Sequence, residues 1–433
     1  MLAIPIVLAN LTQPILGAVD TAVAGHLGSA ADLGGVALGG LFFNFVFWGF
    51  GFLRMGTTGL VAQAFGARNR DALRADIVRA LLLAIAIGSV ILVVQAPLIR
   101  HALQLVGGSD AVQNNARIYC RARILSAPFA LGNYVVLGYL FGAQRPRIAL
   151  LTQVLINAVN VVAVVIYVYA LGWGLAGIGA ATATADAIGF AFGMAVLWHL
   201  RPRGLPPLTW RTVSDKMALK KLIVMNRDIF LRTILLLSAF AWFAHVGARQ
   251  GDTILAANAL LLNFQTFMAY GLDGFAHATE AMVGAAIGAG NRSAFREAVK
   301  VNLFWSALGA LGFALVYGCS GTRIIHELTD QPAVRAAAQT FLPWVAMLPL
   351  ASVGGFLLDG VFIGATRTRE LMQTMAISWA VFFCASWVLV DVWGNHGLWL
   401  ALLIFMGARG LALLSFLPRI TAAIRPASVQ QAT

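Results

Sequence analysis

Two stretches of this chain, 222 positions apart, repeat each other, and that repeat limits the fold more than any other feature. Gly66, Ala67, Asn69, Arg70, Ala72 and Arg74 align with Gly288, Ala289, Asn291, Arg292, Ala294 and Arg296. The register holds where Gly142, Ala143, Arg145 and Arg147 meet Gly364, Ala365, Arg367 and Arg369, and where Leu33, Ala37, Phe42 and Gly49 meet Leu255, Ala259, Phe264 and Gly271. A repeat without drift implies a doubled unit, so the architecture of the first half is also that of the second.

The doubled unit is apolar. Of 433 residues 60% are hydrophobic and 11% charged, against roughly 25% charged in a soluble domain. A window of about 20 apolar residues crosses about 30 Å of hydrocarbon at about 1.5 Å per residue. Twelve such windows are predicted, near 2 to 26, 36 to 65, 77 to 99, 118 to 143, 147 to 171, 173 to 200, 223 to 248, 254 to 289, 298 to 318, 338 to 365, 370 to 393 and 395 to 418. The expected fold class is an all-α polytopic membrane protein with twelve transmembrane helices in two pseudo-symmetric six-helix lobes. Six crossings per repeat is an even number, so the repeats run parallel about an axis along the membrane normal. Internal repeats in so apolar a chain mark secondary transporters.

A net charge of +13 invites a nucleic-acid reading, but the basic residues alternate loop by loop. Arg68, Arg70 and Arg74 follow helix 2, Arg145 and Arg147 helix 4, Arg292, Arg296 and Lys300 helix 8, and Arg367 and Arg369 helix 10. The connection after helix 6 carries Arg201, Arg203, Arg211, Lys216, Lys220, Lys221 and Arg227, whereas the loops after helices 1, 5 and 11 carry neither Lys nor Arg. By the positive-inside rule both termini are cytoplasmic, with the chain multi-pass in the inner (plasma) membrane. The central basic loop is expected to touch anionic lipid rather than nucleic acid. Pro202, Pro206 and Pro207 mark the lobe boundary. The division is an N-terminal lobe at 1–200, a cytoplasmic linker at 201–222, a C-terminal lobe at 223–418 and a cytoplasmic tail at 419–433. Met1 to Leu11 lack a basic n-region and a small-residue cleavage site, so helix 1 is expected to be retained. Cys120, Cys319 and Cys384 are too scattered for a disulfide framework or a CxxC metal site.

Inside the helices, charge needs a reason, because a carboxylate near the bilayer centre costs about 2.5 to 3.5 kcal/mol on insertion scales. Asp20 lies well inside helix 1 with no Lys or Arg one turn away. It reads as a coupling carboxyl able to take and release a proton, or else as a hydrogen-bond acceptor for a neighbouring helix. Gln13 lies two turns earlier on the same face, and Pro5 and Pro14 give helix 1 two places to bend. Asn157 and Asn160 share a face of helix 5, and Thr182, Thr184 and Asp186 lie on helix 6 among small residues. Asn157 and Thr184 are as well suited to interhelical packing as to a site, while Asp186 carries charge and would share a cavity with Asp20.

In the second half, Asp273, His277 and Glu280 fall on one face of helix 8. Two acids and one His at helical spacing lack the further ligands a metal needs, so a hydrogen-bonded ion cluster with His277 as a relay is the favoured reading over a metal site. The repeat places Arg54 opposite Ala276 and Thr58 opposite Glu280, so this cluster has no twin. Asp228 and Arg232, four apart, read as a local ion pair. Asp359 is a lone buried acid without a partner in the sequence pattern.

These residues carry a resemblance. Val19-Asp20-Thr21-Ala22-Val23-Ala24-Gly25-His26-Leu27-Gly28, Gly138-Tyr139-Leu140-Phe141-Gly142-Ala143-Gln144, Asn226-Arg227-Asp228-Ile229-Phe230-Leu231-Arg232-Thr233, Ala256-Ala257-Asn258-Ala259-Leu260-Leu261, Leu272-Asp273-Gly274-Phe275-Ala276-His277-Ala278-Thr279-Glu280 and Leu358-Asp359-Gly360-Val361-Phe362-Ile363-Gly364-Ala365-Thr366-Arg367 occur in order along the chain. Over essentially its whole length the chain resembles the multidrug and toxic compound extrusion (MATE) transporters, in particular their DinF-like branch. The resemblance implies two six-helix lobes enclosing a central cavity, and export of amphipathic, often cationic compounds in exchange for protons or sodium ions. It implies Asp20 as the coupling acid and places the family's helix 5 Asn on Asn160 and its helix 6 Thr and acid on Thr182 and Asp186. One departure stands out: where the family often has Asp four residues after that Asn, this chain has Val164. A full sodium cage is disfavoured for that reason.

The expected function is therefore proton-coupled multidrug efflux by alternating access, with Asp20 coupling, Gln13, Asn157, Asn160, Thr182 and Asp186 lining the cavity, and Asp273, His277 and Glu280 as a second-lobe relay. The alternatives are sodium coupling and flipping of a lipid-linked precursor. Flipping asks for a cationic cavity, and the intramembrane arginines suited to one are Arg54, Arg79, Arg232 and Arg409. An intramembrane enzyme would need clustered Mg²⁺-binding acids or an HExxH sequence, and a channel a filter sequence; none of these patterns is present. The expectation is no enzyme, no cofactor beyond the coupling ion, small organic molecules and the bilayer as partners, and function as a monomer.

Overall fold

Glycine spacing and charge placement become helix packing in a computed structural model of the chain, which describes residues 3–11, 13–26, 29–201 and 206–424. All regular structure among them is helical. The first half comprises α1 (Ala3–Leu11), α2 (Gln13–Gly25), α3 (Ala30–Gly49), α4 (Phe52–Gly66), α5 (Arg70–Val93), α6 (Gln95–Val106), α7 (Asp110–Arg123), α8 (Ala127–Gly142), α9 (Pro146–Val164) and α10 (Gly174–Leu200). After a short α11 (Trp210–Val213) come α12 (Lys216–Ala248), α13 (Asp252–Gly288), α14 (Arg292–Leu328), α15 (Pro332–Gly364), α16 (Thr368–Trp393) and α17 (Asn395–Ala423).

Ten helical stretches among the described residues are long and apolar enough to cross a membrane. The α1/α2 pair and α13, which is 37 residues long but studded with Asn258, Asn263, Gln265, Asp273 and Glu280, complete the twelve that the sequence predicts. Helices run past the predicted windows. The predicted helix 7 window opens at 223, yet α12 begins at Lys216, because Lys216, Lys220 and Lys221 extend it without a helix breaker. Several windows are composite: α7 and α8 are joined by a 3₁₀ turn, Ile124–Ser126, and α3 gives way to α4 at Phe50–Gly51. Large apolar side chains such as Phe304, Trp305, Trp387 and Leu411 stand exposed on these helices, as hydrocarbon requires and water forbids.

The chain divides into two compact units, Leu11–Phe65 with Asn69–Leu222, and Met1–Asn10 with Gly66–Arg68 and Ile223–Thr433. This departs from the predicted division at two points. Residues 206–222 group with the first half rather than standing apart, and residues 3–10 group with the second. The former has a physical cause: Arg79 donates to the carbonyl oxygens of Val213 (3.1 Å) and Thr212, and Arg74 to that of Pro206 (2.9 Å).

In the amino-terminal unit α7 packs against α3 and α10, α10 against α8 and α9, and α5 against α8. In the carboxy-terminal unit α15 lies against α13, α14 and α17, and α16 against α17, around buried Phe243, Phe382, Trp399 and Phe405. The repeat reappears as geometry. A Cβ on Gly138 would stand 2.6 Å from the Arg54 carbonyl oxygen, and one on Gly142 would stand 2.7 Å from that of Thr58. Gly360 and Gly364, 222 positions on, meet the carbonyl oxygens of Ala276 and Glu280, the counterparts of Arg54 and Thr58. Each unit thus brings two helices into backbone contact through a Gly-x₃-Gly face, as small residues permit in membranes. The turns repeat too: Gln144 and Thr366 share a positive φ of 58° and 54°, and Asn69 and Asn291 cap α5 and α14 by accepting from the Ala72 and Ala294 N–H groups.

Substitution of Gly138 or Gly360 by Ala should destabilise the purified protein by about 1–3 kcal/mol, read as a fall in melting temperature. Gly312→Ala and Gly318→Ala, whose Cβ would meet nothing within 4 Å, should leave it unchanged or slightly raised. Equal effects at all four positions would contradict the close-packing assignment.

Candidate functional site

A carboxylate that a single helix cannot neutralise must find partners on others, and Asp20 does. It is 2% exposed, on α2. Its Oδ2 accepts from the Tyr119 hydroxyl of α7 at 3.0 Å, and the Thr182 hydroxyl of α10 lies at 3.4 Å. The Asn160 amide of α9 donates to the Thr182 hydroxyl at 3.1 Å. Four helices therefore converge on one oxygen network. Tyr119 is held there by geometry: Gly39 on α3 has no side chain to collide with its ring, and Phe43 meets that ring edge-on at 6.1 Å.

One turn beyond Tyr119 is Arg123, at the end of α7. Its Nη1 donates to the Tyr119 hydroxyl and stands 3.9 Å from Asp20 Oδ2, while the guanidinium lies over the Phe43 ring at 4.6 Å. Asp186, half-buried on α10, lies beside the Ser126 and Asn133 side chains and interacts electrostatically with Arg123 and with Asp20. Its backbone oxygen accepts from the Asn133 amide at 3.0 Å. Asp20 Oδ1 and Asn160 Oδ1 are buried and accept no hydrogen bond among the described residues. The network thus holds two acids, one permanent cation, and two acceptor oxygens with unused lone pairs, a set that can take up a proton.

Of the residues singled out from sequence, Asp20, Asn160 and Thr182 are joined directly, and Asp186 is drawn in through Arg123. Asn157 is half-buried on α9. The side chain of Gln13 lies outside the described residues. Tyr119 and Arg123 were not among the sequence candidates, and the four intramembrane arginines weighed there omit Arg123. Its signal was the i, i+4 pair of Tyr119 and Arg123, placed near the end of a predicted window rather than deep within it.

The carboxy-terminal unit carries different chemistry. The sequence pattern paired Asp228 with Arg232, but Asp228 accepts from Arg227 at 2.8 Å and from the Thr368 hydroxyl at 3.4 Å. Arg232 instead pairs with Asp359 of α15, which also accepts from Arg409 of α17 at 2.7 Å. Asp228 faces the start of α16, one turn from Arg232, whose side chain reaches inward. So the lone acid has two partners, both buried. His277 and Glu280 of α13 are buried together, Nδ1 to Oε1 at 3.1 Å, whereas Asp273 interacts electrostatically with Arg409. Among the described residues no three His, Cys, Asp or Glu gather closely enough to hold a metal. Lower in the same unit, the Asn258 and Asn395 amides donate to each other at 2.8 and 2.9 Å, and the Trp399 indole N–H also reaches Asn258.

Doubled six-helix units with a carboxylate network buried among the helices of one of them define a membrane transporter rather than a soluble binding protein. The sequence matches the MatE family over residues 5–168 and 229–386, and the chain belongs to that family. It is 42% identical to DNA damage-inducible protein F of Escherichia coli (strain K12), over 95% of this chain and 90% of that protein. It is 24% identical to the probable multidrug resistance protein NorM of Chromobacterium violaceum, over 96% of this chain and 92% of that protein. Among solved structures, an outward-facing multidrug resistance MATE family transporter of the MOP superfamily superposes with a TM-score of 0.86 at 21% identity, covering 97% of this chain and 95% of that one. A MATE crystal structure in the bent conformation reaches 0.88 at 20% identity, covering 100% and 96%.

Replacing Asp359 by Leu removes the hydrogen-bonded counter-charge shared by two buried guanidinium groups and should cost about 3–5 kcal/mol of stability. The triple variant Asp359→Leu, Arg232→Met, Arg409→Met should recover most of that loss. A thermal melt in which the triple variant is no better than the single would refute the shared-carboxylate assignment.

Proposed function

We propose that this chain is a proton-coupled antiporter of the inner membrane, with both termini cytoplasmic, that exports amphipathic organic cations by alternating access and works as a monomer. The observation that carries this reading is Asp20, a carboxylate buried among four helices with one oxygen engaged by Tyr119 and Thr182 and the other, Oδ1, unpaired. A buried acceptor without a donor is costly, and a proton on Oδ1 supplies both the missing hydrogen and the charge neutralisation. The name of the Chromobacterium relative supports drug-like substrates, and Trp, Phe and Met are plentiful in this chain.

Coupling follows if proton and substrate exclude each other. The protonated unit is electrically more positive and favours release of a cation; loss of the proton to the cytoplasm restores the carboxylate and the affinity for substrate. Only a difference in affinity between the two states can drive exchange. Three of the four arginines that a flippase for a pyrophosphate-linked lipid would call on are committed elsewhere. Arg79 is spent on the Thr212 and Val213 carbonyls and on Asp76, and Arg232 and Arg409 on Asp359.

The test is efflux of a fluorescent lipophilic cation from proteoliposomes under an imposed pH gradient. Wild-type protein should transport down that gradient, and Asp20→Asn should bind the dye yet transport no faster than empty liposomes. Equal transport by both would remove Asp20 from the mechanism. Dye that binds neither protein and moves with neither would turn the assignment toward the lipid substrate.

A further inference from the structure

We propose that Arg123 is the resident cation of the amino-terminal site and that it reserves Asp20 for a proton by denying the site to sodium. This rests on the reading of Asp20 as the coupling residue and adds the reason for its ion specificity.

The oxygens a hard cation needs are present. Asp20 supplies Oδ1 and Oδ2, Thr182 its hydroxyl, Asn160 its Oδ1 and Tyr119 its phenol, all within one hydrogen-bonded network drawn from four helices. Two of these, Asp20 Oδ1 and Asn160 Oδ1, are buried and unpaired. Val164, where an acid would add to such a cage, is therefore not the whole reason that sodium is disfavoured; several neutral and anionic oxygens together can hold a hard cation.

What spoils the cage is a charge already inside it. Arg123 stands 3.9 Å from Asp20 Oδ2 and donates to the same Tyr119 hydroxyl that donates to Asp20. Its guanidinium stays protonated at any working pH, so the charge is permanent. The Phe43 ring, 4.6 Å away, holds it in place. A sodium ion on Asp20 would keep its full charge beside this fixed cation, in surroundings that screen poorly. A proton differs in kind. Arriving from water, it forms a covalent O–H bond on Oδ1 and cancels the carboxylate charge, and it leaves to water by the reverse step.

The groups facing Asp20 and Arg123 fit that exchange. On α7 they are Tyr119, Arg123 and Cys120, the last interacting electrostatically with Arg123; on α10 they are Thr182 and Asp186. When Asp20 is protonated, Asp186 remains as the partner of the guanidinium, so Arg123 keeps a counter-charge. Arg123 acts through Asp20 and is a positioning residue in this scheme, setting which ion the carboxylate accepts.

The experiment compares wild type, Arg123→Gln, Arg123→Lys, Asp20→Asn and the Arg123→Gln/Asp20→Asn double variant for binding of radioactive sodium and for dye efflux at graded pH. Wild type and Arg123→Lys should bind no sodium and couple to protons alone. Arg123→Gln should bind sodium, lose that binding when Asp20→Asn is added, and show a pH midpoint of coupling moved upward by about one unit, roughly tenfold tighter proton binding once the neighbouring cation is gone. Sodium binding by wild type overturns the proposal without recourse to any variant. So does a well-folded Arg123→Gln that binds no sodium and keeps the wild-type pH profile. If Asp20→Asn itself transports like wild type, it is the coupling assignment that falls, and the two failures are told apart.

Discussion

Hydrocarbon cannot solvate an ion, and every notable polar feature of this chain answers that constraint. Asp20 is placed where one helix cannot neutralise it, so α7, α9 and α10 are drawn around it through Tyr119, Asn160, Thr182 and Arg123. Asp359 is answered in the same manner by arginines from two other helices. Removing one member of either set strands a charge where it costs several kcal/mol. These clusters therefore fix helix packing.

The repeat and the polar chemistry diverge from each other. Backbone contact through Gly138 and Gly142 recurs at Gly360 and Gly364, and the loop conformations at Gln144 and Thr366 coincide. The charged clusters do not recur. Asp20 and Asp186 of the amino-terminal unit share one arginine, whereas the carboxy-terminal unit engages Asp359 with two arginines and pairs His277 with Glu280; buried acceptor oxygens without a donor among the described residues occur in both, at Asp20 Oδ1 and at Asp359 Oδ1. A doubled scaffold has kept the constraints of close packing on both sides while its titratable groups specialised. The amino-terminal set holds two acids to one arginine, and the Asp359 set one acid to two arginines.

Much of this was legible in the sequence for a physical reason. Apolar windows are long and helix is the only local structure that satisfies their backbone, so the twelve crossings and the 222-residue register follow from residue type alone. Asp20, Asn160 and Thr182 were recoverable because polar side chains in such windows are rare. Partner choice was not legible. Asp228 and Arg232 share a helical spacing, yet the arginine reaches to Asp359, 127 positions away, and Asp228 to Arg227 and Thr368. Arg123 escaped notice because it follows Tyr119 toward the end of α7, where sequence alone cannot distinguish a charge turned to water from one turned to Asp20. Contacts between helices distant in sequence decide such cases, and helical periodicity carries no information about them.

The most direct measurement is the number of protons released when the purified protein binds a lipophilic cation, obtained by titration calorimetry in two buffers of different ionisation enthalpy. If Asp20 holds a proton that substrate must displace, wild type releases about one proton per cation bound and Asp20→Asn releases none. Release that is the same in both proteins, or absent from wild type across the pH range in which transport runs, would contradict exchange at Asp20.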